Sequence, residues 1–323
     1  MFVSETIPTV ADELFAPDPA HGVTLALLLQ QRGEIIFERY GMTPDSVFAA
    51  GGPVSADSTL ISWSMAKSIT HAAVGILVAD GLLQLDQPAA VPKWRGTPKE
   101  AITLQDLLDM RSGLEWVEDY VDDSISHCID MLFGSGQEDM AAYAAALPLV
   151  HAPGSTWNYS SGTTNIICRI MGDVVGGGRE GMEAFLSQRL FEPAGMHSAI
   201  PKFDTSGTFI GSSYVYATAR DFARFGELYR NDGMVGNRRV LPAGWHDHGR
   251  TFVASDEDGM DYGGHWWMWR DQPGSMACHG YEGQYCVIVP DKELVLVHLG
   301  KCPAETCEEL TGRLRAIVDA VGC

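Results

Sequence analysis

Basic residues are scarce in this chain, with 22 Lys and Arg against 42 Asp and Glu, a formal charge of −20 and a pI near 4.7. A surface of that sign repels phosphate backbones, so nucleic acid is excluded as an expected partner. Long apolar runs are missing too. Near the N-terminus the run Val23 to Leu29 is far too short to span a bilayer, so no membrane association is expected. Residues 1–20 carry acids and prolines but no basic n-region or apolar h-region, which argues against a signal peptide and for a cytoplasmic location. Seven cysteines are scattered without a Cys-x-x-Cys, which predicts free thiols in a reducing compartment rather than a disulfide framework. Gly-x-Ser-x-Gly is absent, against an α/β-hydrolase. His-Glu-x-x-His is absent as well, and His246-Asp-His248 has no carboxylate-rich companion motif. That pair reads as a solvated loop, and neither a metal nor a cofactor is expected.

What is present begins with Ser64-Met65-Ala66-Lys67 at the head of a helix reaching Gly81, a glycine placed to cap its C-terminus. Residues three apart share a helix face, so the Ser64 hydroxyl and the Lys67 ammonium can meet. Lysine accepts a serine proton only when burial or a neighbouring cation lowers its pKa, and that is the expectation for Lys67. The Ser64 N–H, at a helix start, can supply half of an oxyanion hole. With 21 Ser and 6 Lys among 323 residues, chance alone gives about 0.4 Ser-x-x-Lys matches, so the spacing needs support from elsewhere.

The length allows one large or two medium domains, and 46% hydrophobic content is ordinary for an enzyme. Residues 22–31 and 34–40 read as a hairpin turning at Arg32-Gly33. Thr103…Asp106 and Thr218…Asp221 read as helix caps, and Arg179 to Leu190 as a helix closed by Pro193 and Gly195. Strands are expected over 265–270, 276–281, 284–290 and 294–299, with a final helix from about 303 to 321. Strands at both ends with helices between predict an α+β layout. Residues 1–88 plus 258–323 would form a discontinuous domain whose antiparallel sheet is flanked by the first and last helices, and residues 89–257 a mostly helical insertion.

Two segments answer the Ser-Lys pair. Tyr159, in Trp157-Asn-Tyr-Ser-Ser161-Gly, can join a proton network and protonate a leaving group, although a loop tyrosine packing on its neighbours is the commoner case. Ala277-Cys-His279-Gly-Tyr-Glu-Gly283 is a glycine-punctuated strand, a pattern that marks either a bulge or close approach of backbone to a ligand.

In the order Ser-x-x-Lys, Tyr-Ser-Ser, His-Gly, the chain resembles the penicillin-recognising serine hydrolases, in their class C β-lactamase-like branch. Met110-Arg-Ser-Gly-Leu-Glu-Trp116, Ala219-Arg-Asp-Phe-Ala-Arg-Phe-Gly226 and Tyr262-Gly-Gly-His-Trp-Trp267 extend the likeness over residues 20 to 300. It is most similar to the nylon-oligomer (6-aminohexanoate-dimer) hydrolases. The resemblance implies a β-lactamase/transpeptidase-like fold with Ser64 as acylated nucleophile, Lys67 as its proton-accepting partner and Tyr159 as acid/base. Ser161 stands where the family has the Asn of Tyr-x-Asn, and His279-Gly280-Tyr281 replaces its Lys-Thr-Gly, so strong β-lactamase activity is not expected. Tyr281 or Glu282 would give the second oxyanion N–H. Glu115, Glu118, Asp119, Asp122 and Asp123 read most simply as a solvated loop, but the resemblance makes Glu118 a candidate for binding a substrate amine and Tyr120 for closing over it. Trp116, Trp266 and Trp267 read as core packing.

The expected function is therefore hydrolysis of small-molecule amides or esters through an acyl-enzyme. A family VIII-type carboxylesterase or D-aminopeptidase is the alternative, and a catalytically silent binding relative a further one. The sequence leaves a homodimer open.

Overall fold

A computed structural model of the chain describes residues 6–16, 22–46, 50–119, 126–257 and 259–322. Its centre is an eight-stranded antiparallel sheet. The strands are β1 (Val23–Gln31), β2 (Glu34–Tyr40), β3 (Ala254–Ser255), β4 (Asp261–Tyr262), β5 (Trp267–Met268), β6 (Met276–Gly280), β7 (Gln284–Val289) and β8 (Leu294–Lys301). They lie in the order β3-β4-β5-β6-β7-β8-β1-β2, so the two ends of the chain meet where Val23 pairs with Lys301 and Gln31 with Leu294. The expected first hairpin forms, with φ of 54° at Arg32 and 82° at Gly33. Two successive positive values are what a two-residue type I′ turn requires. The strand expected over 265–270 shrinks to β5, because His265 takes a φ of 62° and interrupts the extended run.

Both sheet faces are covered, which explains why β1, β7 and β8 read as nearly continuous apolar runs rather than alternating ones. Leu27 and Leu29 of β1, with Val287 and Leu296, pack under α1 (Thr6–Leu14) and the C-terminal helix (Cys307–Ala320). Ala26 and Leu28, with Ile288 and Val297, face α2 (Ala66–Ala79) and the helix α5 (Ala219–Arg230). A truncation such as Leu28→Ala would open a cavity there at a cost of about 2–5 kcal/mol.

α1 was not foreseen; its Ile7, Ala11 and Leu14 form a single buried stripe. The expected division at 88/89 and 257/258 can be set beside the sheet order. α5 and β3 fall inside the segment 89–257; β3 pairs in the sheet and α5 packs against it. α5 lies so close that a Cβ on Gly226 would sit 2.6 Å from Val295 Cγ1. Between α2 and α5 the chain is mainly helical and includes α3 (His127–Phe133) and α4 (Ser161–Val175). Thr103 and Asp106 make a complete capping box, whereas Asp221 turns its carboxylate to Ser198 and Arg224. Among the described residues no helix is long and apolar enough to cross a membrane.

His248 is not in a solvated loop. Its ring and that of His71 both stack on Trp245, in a largely buried chain of neutral groups. Gln105 Oε1, oriented by the donation of its amide to Asp109, accepts from His248 Nε2 at 3.0 Å. His248 Nδ1 then accepts from His71 Nε2 at 2.9 Å, and His71 Nδ1 from the Tyr229 hydroxyl at 2.7 Å. Burial pushes His71 well below the ordinary histidine value, with the neighbouring histidines adding to it, and lowers His248. It takes His265 to about 3 and His298 to about 4, against opposing backbone hydrogen bonds. A folded-state pKa below the unfolded one gives stability that is complete above the unfolded value and is lost as pH falls toward the folded one. Stability should therefore decline between about pH 6.5 and 4, with each fully buried histidine costing about 2 kcal/mol at pH 5 relative to pH 7.5. Urea midpoints at the two pH values test this, and equal midpoints would contradict it.

Candidate active site

A short 3₁₀ turn, Trp63–Met65, leads into α2 and sets Ser64 at its head, partly exposed. Trp63 holds a φ of 41°, which for a bulky residue costs on the order of 1–3 kcal/mol and must be held by its surroundings. Its indole donates to Glu282 Oε2 at 3.0 Å, and its ring packs between Tyr214 and Tyr281. Behind the turn, Gly280 of β6 comes so close that a Cβ there would lie 2.4 Å from the Ser62 carbonyl oxygen. That close approach is what the glycine-punctuated strand provides.

Lys67 is buried, and its three N–H groups are all matched. Nζ donates to Ser64 Oγ at 2.9 Å, to Ser161 Oγ at 2.9 Å and to the Ser212 carbonyl at 3.1 Å. Ser161 Oγ in turn donates to Glu118 Oε1, which stands 3.9 Å from Nζ. Glu118 Oε2 accepts from the Ser161 N–H at 2.8 Å and from the Trp116 indole at 2.5 Å. Tyr159 lies with its ring centroid 4.7 Å from Nζ and its hydroxyl within hydrogen-bonding reach of Ser64 and Lys67.

The electrostatics reverse one expectation. Burial pulls the Lys67 pKa down, but Tyr159 and Glu118 pull it up and prevail, so it is raised rather than depressed. Burial likewise raises Tyr159, and the attraction of Lys67 and the Ser64 hydrogen bond only partly offset it. At rest the site holds a charged ammonium, a neutral phenol and a serine hydroxyl between them. The Ser161 hydroxyl, which donates to Glu118, and the Ser212 carbonyl both accept from Nζ, and the Glu118 carboxylate 3.9 Å away favours the charged form.

Other candidates are placed differently. Glu118 is turned inward rather than solvated, and both its oxygens are taken by Ser161 and Trp116, so it presents no open carboxylate to a substrate amine. Tyr120 lies outside the described residues, as do Asp122 and Asp123. His279 faces the opposite side of β6 from Gly280. Its Nε2 accepts from the Trp269 indole at 3.0 Å, its ring stacks on Trp267, and burial takes it to about 3. Trp267 separates it from Tyr159, with its ring 5.5 Å from that of Tyr159. Glu282 anchors Trp63, while Tyr281 lines a cavity together with Ser64. Trp266 is core, stacked on Phe225, and Trp116 is buried against the site through Glu118. Sequence reasoning did not find the Ser212 carbonyl or the apolar side chains of α3 beside Ser64; a backbone acceptor leaves no side-chain signal. Among the described residues no group of three or more His, Cys, Asp or Glu is placed to hold a metal ion. The six described cysteines are free thiols.

Sheet, helical layer and a Ser-Lys-Tyr cluster at the head of α2 define a serine hydrolase on the β-lactamase and transpeptidase plan. The profile of the Beta-lactamase family matches residues 11–318, and the chain belongs to that family. It is 26% identical over 300 residues to the 6-aminohexanoate-dimer hydrolase of Paenarthrobacter ureafaciens, covering 87% of this chain and 73% of that one. In structure it is similar to a family VIII carboxylesterase, with a TM-score of 0.74 at 15% identity over 99% of this chain and 98% of the other. It is also similar to a penicillin binding protein from Bacillus halodurans, with a TM-score of 0.70 at 16% identity over 96% and 99%.

Gly280→Ala tests the close approach. The added methyl meets backbone that cannot rotate away, so the 62–64 turn must shift. Labelling of the serine by a fluorophosphonate should slow by about tenfold or more, since misplacement by an ångström costs orders of magnitude in rate. An unchanged labelling rate would show that the turn tolerates the methyl.

Proposed function

We propose that this protein hydrolyses amide or ester bonds of small molecules through an acyl-enzyme on Ser64, in the manner of the 6-aminohexanoate-dimer hydrolase it resembles. The observation that carries the reading is the 2.9 Å hydrogen bond from a fully matched Lys67 ammonium to a partly exposed serine hydroxyl. The buried free thiols fit a reducing compartment, and a cytoplasmic location is part of the proposal.

In this mechanism Lys67 works as a cation. As Ser64 Oγ bonds to the substrate carbonyl carbon, its proton passes to the Tyr159 oxygen while the Tyr159 proton moves to the departing nitrogen or oxygen. Tyr159 ends as it began, and the C–N or C–O bond is broken. Water then attacks the acyl-enzyme, giving its proton to Tyr159 as Tyr159 returns one to Ser64 Oγ. Throughout, the ammonium stabilises negative charge developing on the two oxygens in a site that is already organised. The carbonyl oxygen would be received by the Ser64 N–H and by the backbone N–H of Tyr281 or Glu282.

Ser64→Ala should abolish ester turnover and fluorophosphonate labelling while leaving the thermal midpoint within a few degrees; labelling of another serine would refute the assignment. Lys67 supplies the sharper test. If the charged form is the working one, activity is lost as pH rises through its pKa. Glu118→Gln removes a negative charge 3.9 Å away, so it lowers that pKa and should bring the alkaline limb of kcat/KM down by about one unit or more. A variant that instead gains rate on the acid side would mean that neutral Lys67 is the base.

A further inference from the structure

A cavity of about 170 Å³ opens beside Ser64. One wall is α3, through Ile129, Leu132 and Phe133; the other is formed by the rings of Trp63 and Tyr281, with Ser64 at its end. Among the described residues no charged side chain lines it. Ile129, Phe133 and Tyr281 are respectively 40%, 60% and 37% exposed, so three of the large apolar side chains that this acidic protein leaves in water converge on its nucleophile. Clustered apolar exposure of that kind marks a binding surface, whereas isolated exposed residues do not.

Orientation decides which part of a substrate the cavity receives. A leaving group must depart alongside its proton donor, and the donor here is Tyr159. Tyr159 and Lys67 do not line the cavity, so the leaving group lies outside it and the acyl group inside. Size and chemistry then narrow the acyl group. An apolar cavity of about 150 Å³ accommodates a benzene-sized group of six carbons. Burying a charged terminus in such a lining, with no partner, is strongly unfavourable.

We propose that the cavity between α3 and the Trp63–Tyr281 pair is an acyl-binding site for uncharged, apolar acyl groups of about six carbons. This rests on the acyl-enzyme reading of Ser64 and adds the substrate class to it. It also separates this chain from an enzyme that recognises an amine-terminated acyl chain of the same length.

The experiment compares kcat/KM for p-nitrophenyl acetate, butyrate, hexanoate, decanoate and 6-aminohexanoate. Hexanoate should exceed acetate by about tenfold or more, since each buried methylene adds to transition-state binding, and decanoate should fall below hexanoate. The 6-aminohexanoate ester should be at least about tenfold worse than hexanoate. Leu132→Trp, which fills the cavity, should lower hexanoate by a larger factor than acetate and so abolish the preference for the longer chain. Because Leu132 also packs in the core, Phe133→Ala on the exposed rim serves as the second variant, and it should lower hexanoate selectively. An enzyme labelled at Ser64 with a flat chain-length profile, a preference for the amine, or equal losses on acetate and hexanoate in both variants would overturn the acyl site while leaving the hydrolase reading intact. Absence of both labelling and ester turnover would overturn the two together.

Discussion

A single buried ammonium organises the site. Lys67 is 2% exposed, and a cation so placed is tolerable only if hydrogen bonds and a counter-charge replace the water it has lost. Those replacements come from four places in the chain: Ser64 one turn away, Ser161 at the start of α4, the Ser212 carbonyl, and Glu118. Each partner is therefore pinned by the need to satisfy the same charge. Removing any one leaves part of a buried ion unmatched, which is worse than never having buried it. Ser161 joins lysine to carboxylate, and with the neighbouring Ser160, whose hydroxyl caps α4, it ties the head of that helix to α2.

This constraint explains why some features were legible in the sequence and others were not. The Arg32-Gly33 hairpin, the capping box at Thr103 and the Ser64–Lys67 spacing are local, set by residues within four positions of one another. Tyr159 and Ser161 became readable through the resemblance to a known family. The inward turn of Glu118 was not, because its cause is 43 residues away in sequence: on its own stretch, among other acids, a carboxylate is simply a solvated charge. His248 was misread for the same reason, since its partners Gln105 and His71 lie far from it along the chain. α1 is short, and its buried stripe has meaning only once the C-terminal helix lies beside it.

The direction in which His279 points has a different origin. Its segment was correctly read as a strand entering the site, but a strand shows alternate residues to opposite faces, so a one-residue ambiguity exchanges the residue that meets the nucleophile for its neighbour. Gly280 meets Ser62, and His279 goes to Trp269. Parity is fixed by Ala277 and Cys278, which lie in the two separate cores on either side of the sheet. A sequence in which both faces are apolar carries no alternation from which to read it. The strands that form the core are for that reason easiest to find and hardest to orient.

The same separation of scales bears on specificity. At a formal charge of −20 the molecule attracts cations at long range, and that attraction alone would suggest an amine-bearing substrate. In physiological salt the field decays over about 8 Å, so it influences approach more than fit. Within the last few ångströms the described residues that a substrate meets at the cavity are mostly rings and aliphatic chains, and the nearby buried carboxylate, Glu118, is already committed to Ser161 and Trp116. An apolar acyl group there would exclude water from the side of Ser64 away from Tyr159. Lowering the local dielectric strengthens the pull of the Lys67 charge on the oxygens it touches, so the wall that selects the acyl group would also sharpen the electrostatics that cleave it.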